Sequence, residues 1–205
     1  MLKDDNELRG NTYLKKKKKE LNLYNAAYEI FKSKGINNTS IDEIVKNAGV
    51  AKGTFYLYFK DKYDLVKKLI LLKSSILIEE AYDDTKEKQY KNIEEMVLHF
   101  TEYIIDYFKE NKLLLGVINK NFSYVIHKNQ SEIEENTNMD EIINKFLQKL
   151  LEKGFSEEEG RITLFMIIEL VGSVCYSSII LHEPEEIEVI KPVLFKKIRC
   201  MLTYS

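Results

Sequence analysis

The chain has 205 residues, enough for one large or two small domains, and its 44% apolar and 31% charged residues are ordinary for a soluble globular protein. Two prolines and eight glycines are too few for a sheet protein with many tight turns, so long helices are favoured. The net charge of −2 conceals a basic first third: residues 1–72 hold 15 Lys and Arg against 9 Asp and Glu, and residues 73–205 hold 16 against 24, which predicts a polyanionic partner at one end only.

A lysine-rich stretch and one amphipathic helix open the chain. Residues 1–14 are expected to form a flexible tail. The run Lys15–Lys19 is either a solvated segment or a contact to DNA phosphates. A helix with one apolar stripe follows, and Gly35 is expected to end it as a left-handed cap. The stripe consists of Leu23, Ala27, Ile30 and Phe31.

Two short helices joined by a glycine turn come next. Ser40 and Glu43 have the spacing of a capping box and open the first of them. Gly49 closes it, and the second helix is predicted over residues 52–59. Two short helices with such a turn between them form a helix-turn-helix unit.

The second short helix is rich in aromatic residues, in the sequence NAGVAKGTFYLYFKDKYDL. Helical spacing places Phe55 and Phe59 on one face that can enter a core, and leaves Tyr56 and Tyr58 pointing outward on different sides. Gly53 removes a side chain where close approach to a groove would help. This pattern suits a helix in the DNA major groove, with hydroxyls and lysines at the phosphates. A core helix with two solvent-facing tyrosines is the alternative.

Helical periodicity continues to the end of the chain and predicts an all-α fold. Asp61 is expected to cap the first of the remaining helices. The segment 162–181 approaches the length of a membrane span, but Glu169 and Gly172 favour a helix buried in a soluble domain, so no membrane is expected as a partner. Both Cys175 and Cys200 are expected to be small core residues in a reducing cytoplasm. The helices are predicted at residues 62–84, 90–110, 112–127, 139–153, 156–182 and 186–203, with a polar loop at 128–138.

The helix-turn-helix residues resemble the DNA-binding domain of the tetracycline-repressor (TetR) family. The likeness rests on the segments Thr39–Ile44, Ala48–Lys62 and Asp64-Leu65 and covers roughly residues 20–70. It implies a DNA-binding domain at residues 15–75 and an effector-binding and dimerisation domain at 76–205. It further implies a cytoplasmic repressor that binds a palindromic operator as a homodimer and is released by a small, largely apolar or aromatic ligand.

Carried over by position, the resemblance assigns seven DNA-binding residues. Those expected at phosphates are Thr39, Lys52, Tyr58 and Lys62. Those expected at base edges or the groove floor are Gly53, Thr54 and Tyr56. Leu57 departs from the polar residue often found there, and it either contacts a thymine methyl group or packs against the protein.

The resemblance also implies an effector cavity and a dimer formed by residues 156–203. For each candidate wall residue taken alone, an ordinary core position is the better interpretation, and the dimer residues also fit an intrachain core. Together the rings suggest an apolar or aromatic ligand, and the acidic balance favours a neutral or cationic one. The candidate wall residues are Phe100, Tyr103, Tyr107, Phe122, Phe146, Phe165 and Tyr176.

No catalytic or metal constellation is recognisable. His99 and His127 have no carboxylate at metal-ligand spacing, so neither a metal nor another cofactor is expected. A regulator of the same fold without a small-molecule effector, controlled by a protein partner or acting as an activator, is one alternative. An all-helical enzyme with an incidental helix-turn-helix is the other, and the lack of a nucleophile–base pair argues against it.

Overall fold

The computed structural model describes residues 2–118 and 139–203, with side chains at 13–116 and 139–203. The described residues form helices and no strand, so the all-α prediction is confirmed for them. A π-helical turn, Tyr176–Leu181, continues the eighth helix. The helices are α1 (Leu2–Lys34), α2 (Ile41–Ala48), α3 (Lys52–Phe55), α4 (Lys62–Lys86), α5 (Ile93–Glu110), α6 (Lys112–Ile118), α7 (Met139–Glu152), α8 (Glu157–Cys175) and α9 (Ile187–Met201).

The chain divides into two compact units, Met1–Leu69 and Ile70–Ser205. The division falls inside α4, which contributes its first eight residues to one unit and the rest to the other. The resemblance had placed the division at residue 75. The predicted loop at 128–138 and the second half of the predicted helix 112–127 lie outside the described residues.

The first helix is longer than the sequence pattern indicated. α1 begins at Leu2, so residues expected to form a flexible tail belong to the helix instead. Lys, Leu and Glu are good helix formers, and the single Gly10 costs only about 1 kcal/mol in a helix interior. The apolar positions Leu23, Ala27, Ile30 and Phe31 indicated where α1 packs, and they carried no information on where the helix starts.

Caps define the short helices of the first unit as predicted. The Ser40 hydroxyl accepts a bond from the Glu43 backbone, and the Glu43 carboxylate accepts one from the Ser40 backbone. Gly35 and Gly49 have φ values of 80° and 67°, which L-residues with a side chain rarely adopt. Asp61 accepts hydrogen bonds from the backbone of Tyr63 and Asp64, at 2.7 and 2.9 Å, and so caps α4.

The second unit packs α5, α7, α8 and α9 around an aliphatic core. Its described residues include one segment, Glu157–Leu181, with the length and composition of a membrane span, but only part of it is buried. Cys175 is fully buried, and burial raises the pKa of its thiol to about 12. Cys200 is exposed on α9, so the expectation that both thiols are core residues was wrong for Cys200.

Candidate functional site

The aromatic segment is one helical turn followed by a non-helical turn. α3 ends at Phe55, and Tyr56–Tyr58 form a turn in which the Tyr58 amide donates to the Phe55 carbonyl at 3.0 Å. The prediction of one helix over residues 52–59 was therefore too long. Three aromatic residues within Tyr56–Phe59 lower the helix propensity of this part of the segment.

Two phenylalanines anchor the segment, as their spacing predicted. Phe55 and Phe59 are both buried, and the Phe59 ring meets the edge of Tyr24 from α1 at a centroid distance of 5.2 Å. Lys68 of α4 donates from its Nζ to the Tyr58 carbonyl oxygen at 2.9 Å. Packing from two helices and one charged hydrogen bond thus fix the segment from behind.

The outer surface of the segment is open. Tyr56 is 54% exposed and Leu57 is 79% exposed, while Thr54 is half-buried. A Cβ atom built on Gly53 would meet no atom within 4 Å, so the missing side chain serves no internal packing. The exposure of Leu57 excludes the packing alternative. Gly53, Thr54, Tyr56 and Leu57 together present a nearly uncharged, contoured surface of the kind that fits a DNA groove.

The charge at the start of the segment is partly compensated. Lys52 Nζ lies 2.8 Å from Asp42 Oδ1, and both side chains are more than half exposed. The hydrogen bond to Asp42 raises the pKa of Lys52. An exposed pair of this kind is weak, so a phosphate could replace the carboxylate as partner.

Three residues expected at phosphates donate to the protein itself. Thr39 is 3% exposed, and its hydroxyl donates to the Gly35 carbonyl at 2.8 Å. Lys62 Nζ donates to the carbonyl oxygens of Ile36 and Thr39, both at 2.8 Å. The Tyr58 hydroxyl donates to the Lys16 carbonyl at 3.0 Å. The geometry therefore favours structural roles for these three side chains over direct phosphate contacts.

The second unit contains a cavity of about 110 Å³. Its walls come from α4, α5, α7 and α8 and are almost entirely aliphatic and aromatic. Two of the predicted wall residues, Phe100 and Phe146, line it, and their rings meet edge to face at 5.2 Å. The other walls include Leu77, Ile78, Val97, Ile104, Ile142, Leu164, Ile167 and Val171.

The other predicted wall residues are elsewhere. Tyr103 and Tyr107 lie on α5 beside the stripe that faces the cavity. Phe165 is 38% exposed, and Tyr176 does not line the cavity. Phe122 lies outside the described residues. The aliphatic walls are not among the predicted residues, although helical spacing places Val97, Thr101, Ile104 and Phe108 on one buried face of α5.

Two hydroxyls lie among these apolar walls. Thr101 donates its hydroxyl to the Val97 carbonyl at 2.8 Å, one turn back along α5. Ser74 of α4 is 4% exposed, and its Oγ has no hydrogen-bond partner among the described residues. An unpaired buried hydroxyl costs free energy and is satisfied when a ligand brings a polar atom to it.

An apolar surface runs along the last two long helices of the second unit. On α8 the exposed side chains include Ile162, Phe165 and Met166. On α9 they include Val189 and Val193. Below we call these five residues the apolar stripe.

Within the described part of the chain, no group of three or more His, Cys, Asp and Glu side chains could hold a metal ion.

The comparison with protein families identifies the first unit. Residues 23–69 match the family described as bacterial regulatory proteins, tetR family. The fatty acid metabolism regulator protein of Bacillus subtilis (strain 168) is 31% identical over 135 residues, which are 66% of this chain and 66% of that protein. An HTH-type transcriptional regulator of Staphylococcus aureus (strain USA300) is 33% identical over 92 residues, 45% of this chain and 49% of that one. The matches thus span about two thirds and half of these relatives' lengths.

The whole fold also has solved counterparts. The crystal structure of the transcriptional regulator FadR from Bacillus subtilis in complex with stearoyl-CoA covers 87% of this chain and 96% of its own, with a TM-score of 0.58 and 22% identity. At that identity the likeness establishes the fold alone.

Proposed function

Because this chain belongs to the TetR family of bacterial regulatory proteins, we propose that it is a transcriptional regulator that binds operator DNA and is released by a small apolar ligand. The observation that carries the DNA-binding part is the open surface of Gly53, Tyr56 and Leu57 on a rigidly supported segment. Two buried rings and a lysine hold that segment from behind. A surface that is exposed yet fixed is what base readout requires.

The residues divide into two roles on this surface. Gly53, Thr54 and Tyr56 read base edges, with Leu57 against a thymine methyl group. Lys52 exchanges its exposed partner Asp42 for a phosphate, which adds salt dependence without sequence preference. Thr39 and Lys62 support the segment from inside the unit.

The effector is an apolar molecule that enters the cavity of the second unit. Its apolar walls support this, and so does the stearoyl-CoA bound to the FadR relative. The cavity volume of about 110 Å³ is smaller than the roughly 150 Å³ that holds benzene in an engineered protein. A long acyl chain must therefore move wall side chains to enter. We infer that the ligand is an acyl group or an apolar molecule of similar shape.

Helix α4 connects ligand and DNA binding. Ser74, Leu77 and Ile78 of α4 line the cavity. The same helix begins at Lys62, just after the aromatic segment 52–59, which we call the DNA-binding segment. A ligand that displaces α4 changes the position of that segment. A hundredfold loss of operator affinity requires about 2.7 kcal/mol of coupling, and by reciprocity the operator must weaken ligand binding by the same factor.

The functional unit is a cytoplasmic homodimer formed through α8 and α9. Ile162 and Met166 on α8 and Val189 and Val193 on α9 are exposed, although large apolar side chains normally avoid water. Burying this apolar stripe against a second copy gives a four-helix contact and two DNA-binding segments for a palindromic site. Glu169 within α8 and three glutamates at its start favour a protein partner over a lipid one.

A regulator of the same fold without a small-molecule effector is the second candidate function, and the smallness of the cavity favours it.

The experiment that tests DNA binding and the effector begins by selecting duplexes from a random pool with the purified protein. We expect enrichment of a palindrome, and no enrichment would contradict the DNA-binding proposal. Stearoyl-CoA and shorter acyl-CoAs are then titrated with and without the selected duplex. Equal affinity in both titrations would exclude an acyl-CoA as the inducer.

A further inference from the structure

The N-terminal part of α1 projects beyond the core of the first unit. Among the described side chains of α1, the first buried one is Leu23. The side chains from Tyr13 to Lys19 are all exposed. Core packing therefore does not explain why this stretch is held in place.

A hydrogen bond attaches this stretch to the DNA-binding segment. The Tyr58 hydroxyl reaches across 42 positions of sequence to the Lys16 carbonyl oxygen, at 3.0 Å. Tyr58 follows the exposed Leu57 and precedes the buried Phe59, so the bond lies where the DNA-binding surface meets the core. Burial raises the pKa of Tyr58, and the phenol is a hydrogen-bond donor at neutral pH even without this shift.

The stretch is strongly and uniformly positive. Lys15–Lys19 place five ammonium groups in little more than one helical turn. Within the described side chains, no ion pair is seen for Lys15, Lys16, Lys18 or Lys19. Like charges one turn apart, such as those of Lys15 and Lys19, destabilise a helix. An isolated lysine run is usually a solvated surface, but this one is fastened beside a DNA-binding segment.

We propose that the lysine turn Lys15–Lys19 of α1 is a second phosphate-binding element, which Tyr58 positions next to the DNA-binding segment. The inference rests on the proposed DNA-binding function and extends it to a part of the chain outside the helix-turn-helix. The lysines contact backbone phosphates that flank the bases read by Gly53 and Tyr56. Because phosphates are the same at every sequence, this element adds affinity and leaves sequence preference unchanged.

The test measures binding to the selected duplex and to a random duplex between about 50 and 200 mM salt. Replacing Lys15, Lys16 and Lys19 together by Gln should lower the slope of log K against log salt by about 0.9 for each lost phosphate contact, equally for both duplexes. The Lys→Arg triple variant should keep the slope. The matched control with the same charge change in the second unit is Lys112→Gln, Lys145→Gln and Lys149→Gln. A slope unchanged by the α1 triple, or lowered as much by the control, overturns the proposal.

The role of Tyr58 is tested by a double-mutant cycle. Tyr58→Phe removes only the hydroxyl and should lower the slope in the wild-type chain but have no effect in the α1 Gln triple. An equal loss of DNA affinity in both backgrounds would mean that the Tyr58 hydroxyl touches a phosphate itself, and this result would overturn the positioning role. The random-duplex arm keeps the lysine inference separate from the proposed regulator function, since it gives a slope even if no operator can be selected.

Discussion

The Lys62 ammonium group lies 2.8 Å from the backbone carbonyl oxygen of Thr39. The resemblance assigned both residues to DNA phosphates, yet the structure connects them to each other. Lys62 also donates to the Ile36 carbonyl at 2.8 Å, so the start of α4 holds the loop between α1 and α2. The loop in turn precedes the capped start of α2. Two expected DNA contacts thus form the support of the helix-turn-helix.

This arrangement predicts the effect of Lys62→Ala. The substitution leaves the carbonyl oxygens of Ile36, Asn37 and Thr39 without their charged donor, and the free energy of unfolding should fall by ~1–3 kcal/mol. Operator affinity should fall through misplacement of α2, with the salt slope unchanged. Chemical denaturation and salt titrations measure the two effects. Lys60→Ala, at an exposed neighbouring lysine, is the control and should leave the unfolding free energy within about 0.5 kcal/mol of wild type. A lower salt slope for Lys62→Ala would restore its phosphate role.

Two glycines should respond oppositely to alanine. Gly49 has a φ of 67°, where a Cβ atom costs ~1–2 kcal/mol, so Gly49→Ala should destabilise the fold by that amount. Gly53 lies in α3 with open space around it, so Gly53→Ala should leave stability unchanged or raise it by up to about 1 kcal/mol. Its added methyl group should nonetheless weaken operator binding by ~1–3 kcal/mol, comparable to one base contact. If Gly53→Ala binds the operator normally, the groove does not approach this point.

The dimer proposal predicts that one charge in the apolar stripe separates the subunits. Ile162→Lys should convert the dimer to a monomer in sedimentation experiments, because a lysine would be buried opposite its own copy. Binding to a palindromic duplex should then lose cooperativity. Gln148→Lys adds the same charge at an exposed position of α7 and should remain dimeric. A dimeric Ile162→Lys variant would place the interface elsewhere.

The cavity proposal predicts a variant that binds DNA but no longer responds to ligand. Val171→Phe adds a ring to a cavity wall and fills most of the free volume, at an overpacking cost of ~1–3 kcal/mol. Thermal stabilisation by acyl-CoA should disappear, while operator affinity is retained. Val174→Phe, on the same helix but away from the cavity, should still respond. Ligand stabilisation that survives in Val171→Phe would contradict binding at this cavity.

The capping box of α2 should weaken in acid. Hydrogen bonds from the Lys34 ammonium and from the Ser40 backbone and hydroxyl lower the pKa of Glu43 to about 2. The folded pKa lies below the unfolded one, so Glu43 stabilises the fold above about pH 4.5 and loses that contribution as the pH falls towards 2. Glu43→Gln should therefore unfold more easily than wild type at pH 7, and the two melting temperatures should converge near pH 2. A gap that stays constant with pH would assign the effect to something other than this carboxylate.

The features that could be predicted from the sequence are local ones. The capping box, the left-handed cap at Gly35, the helix end at Gly49 and the burial of Phe55 and Phe59 each depend on residues within a few positions of one another. Their physical chemistry is written in short spacing patterns, so no tertiary information was needed.

The features that could not be predicted depend on distant segments. Lys62 reaches carbonyls more than 20 positions away, and Tyr58 reaches one 42 positions away. Nothing in the local pattern distinguishes such a lysine or tyrosine from one that faces DNA. The cavity was similarly hidden, because aliphatic walls such as Val97 and Val171 have the same composition as a filled core, and only the packing leaves a gap between them.

Because the cavity is small, the response to a ligand would also depend on the length of that ligand. A molecule small enough for about 110 Å³ would leave α4 in place, and it would then stabilise the DNA-bound and free states equally. A longer molecule enters only if the walls move apart, which costs free energy, and this cost is offset only in the released state. Two ligands with the same chemistry would thus have opposite effects, the long one releasing DNA and the short one blocking the long one. Sensitivity to chain length would therefore come from a gap that is too small, and no residue would need to measure the end of the chain.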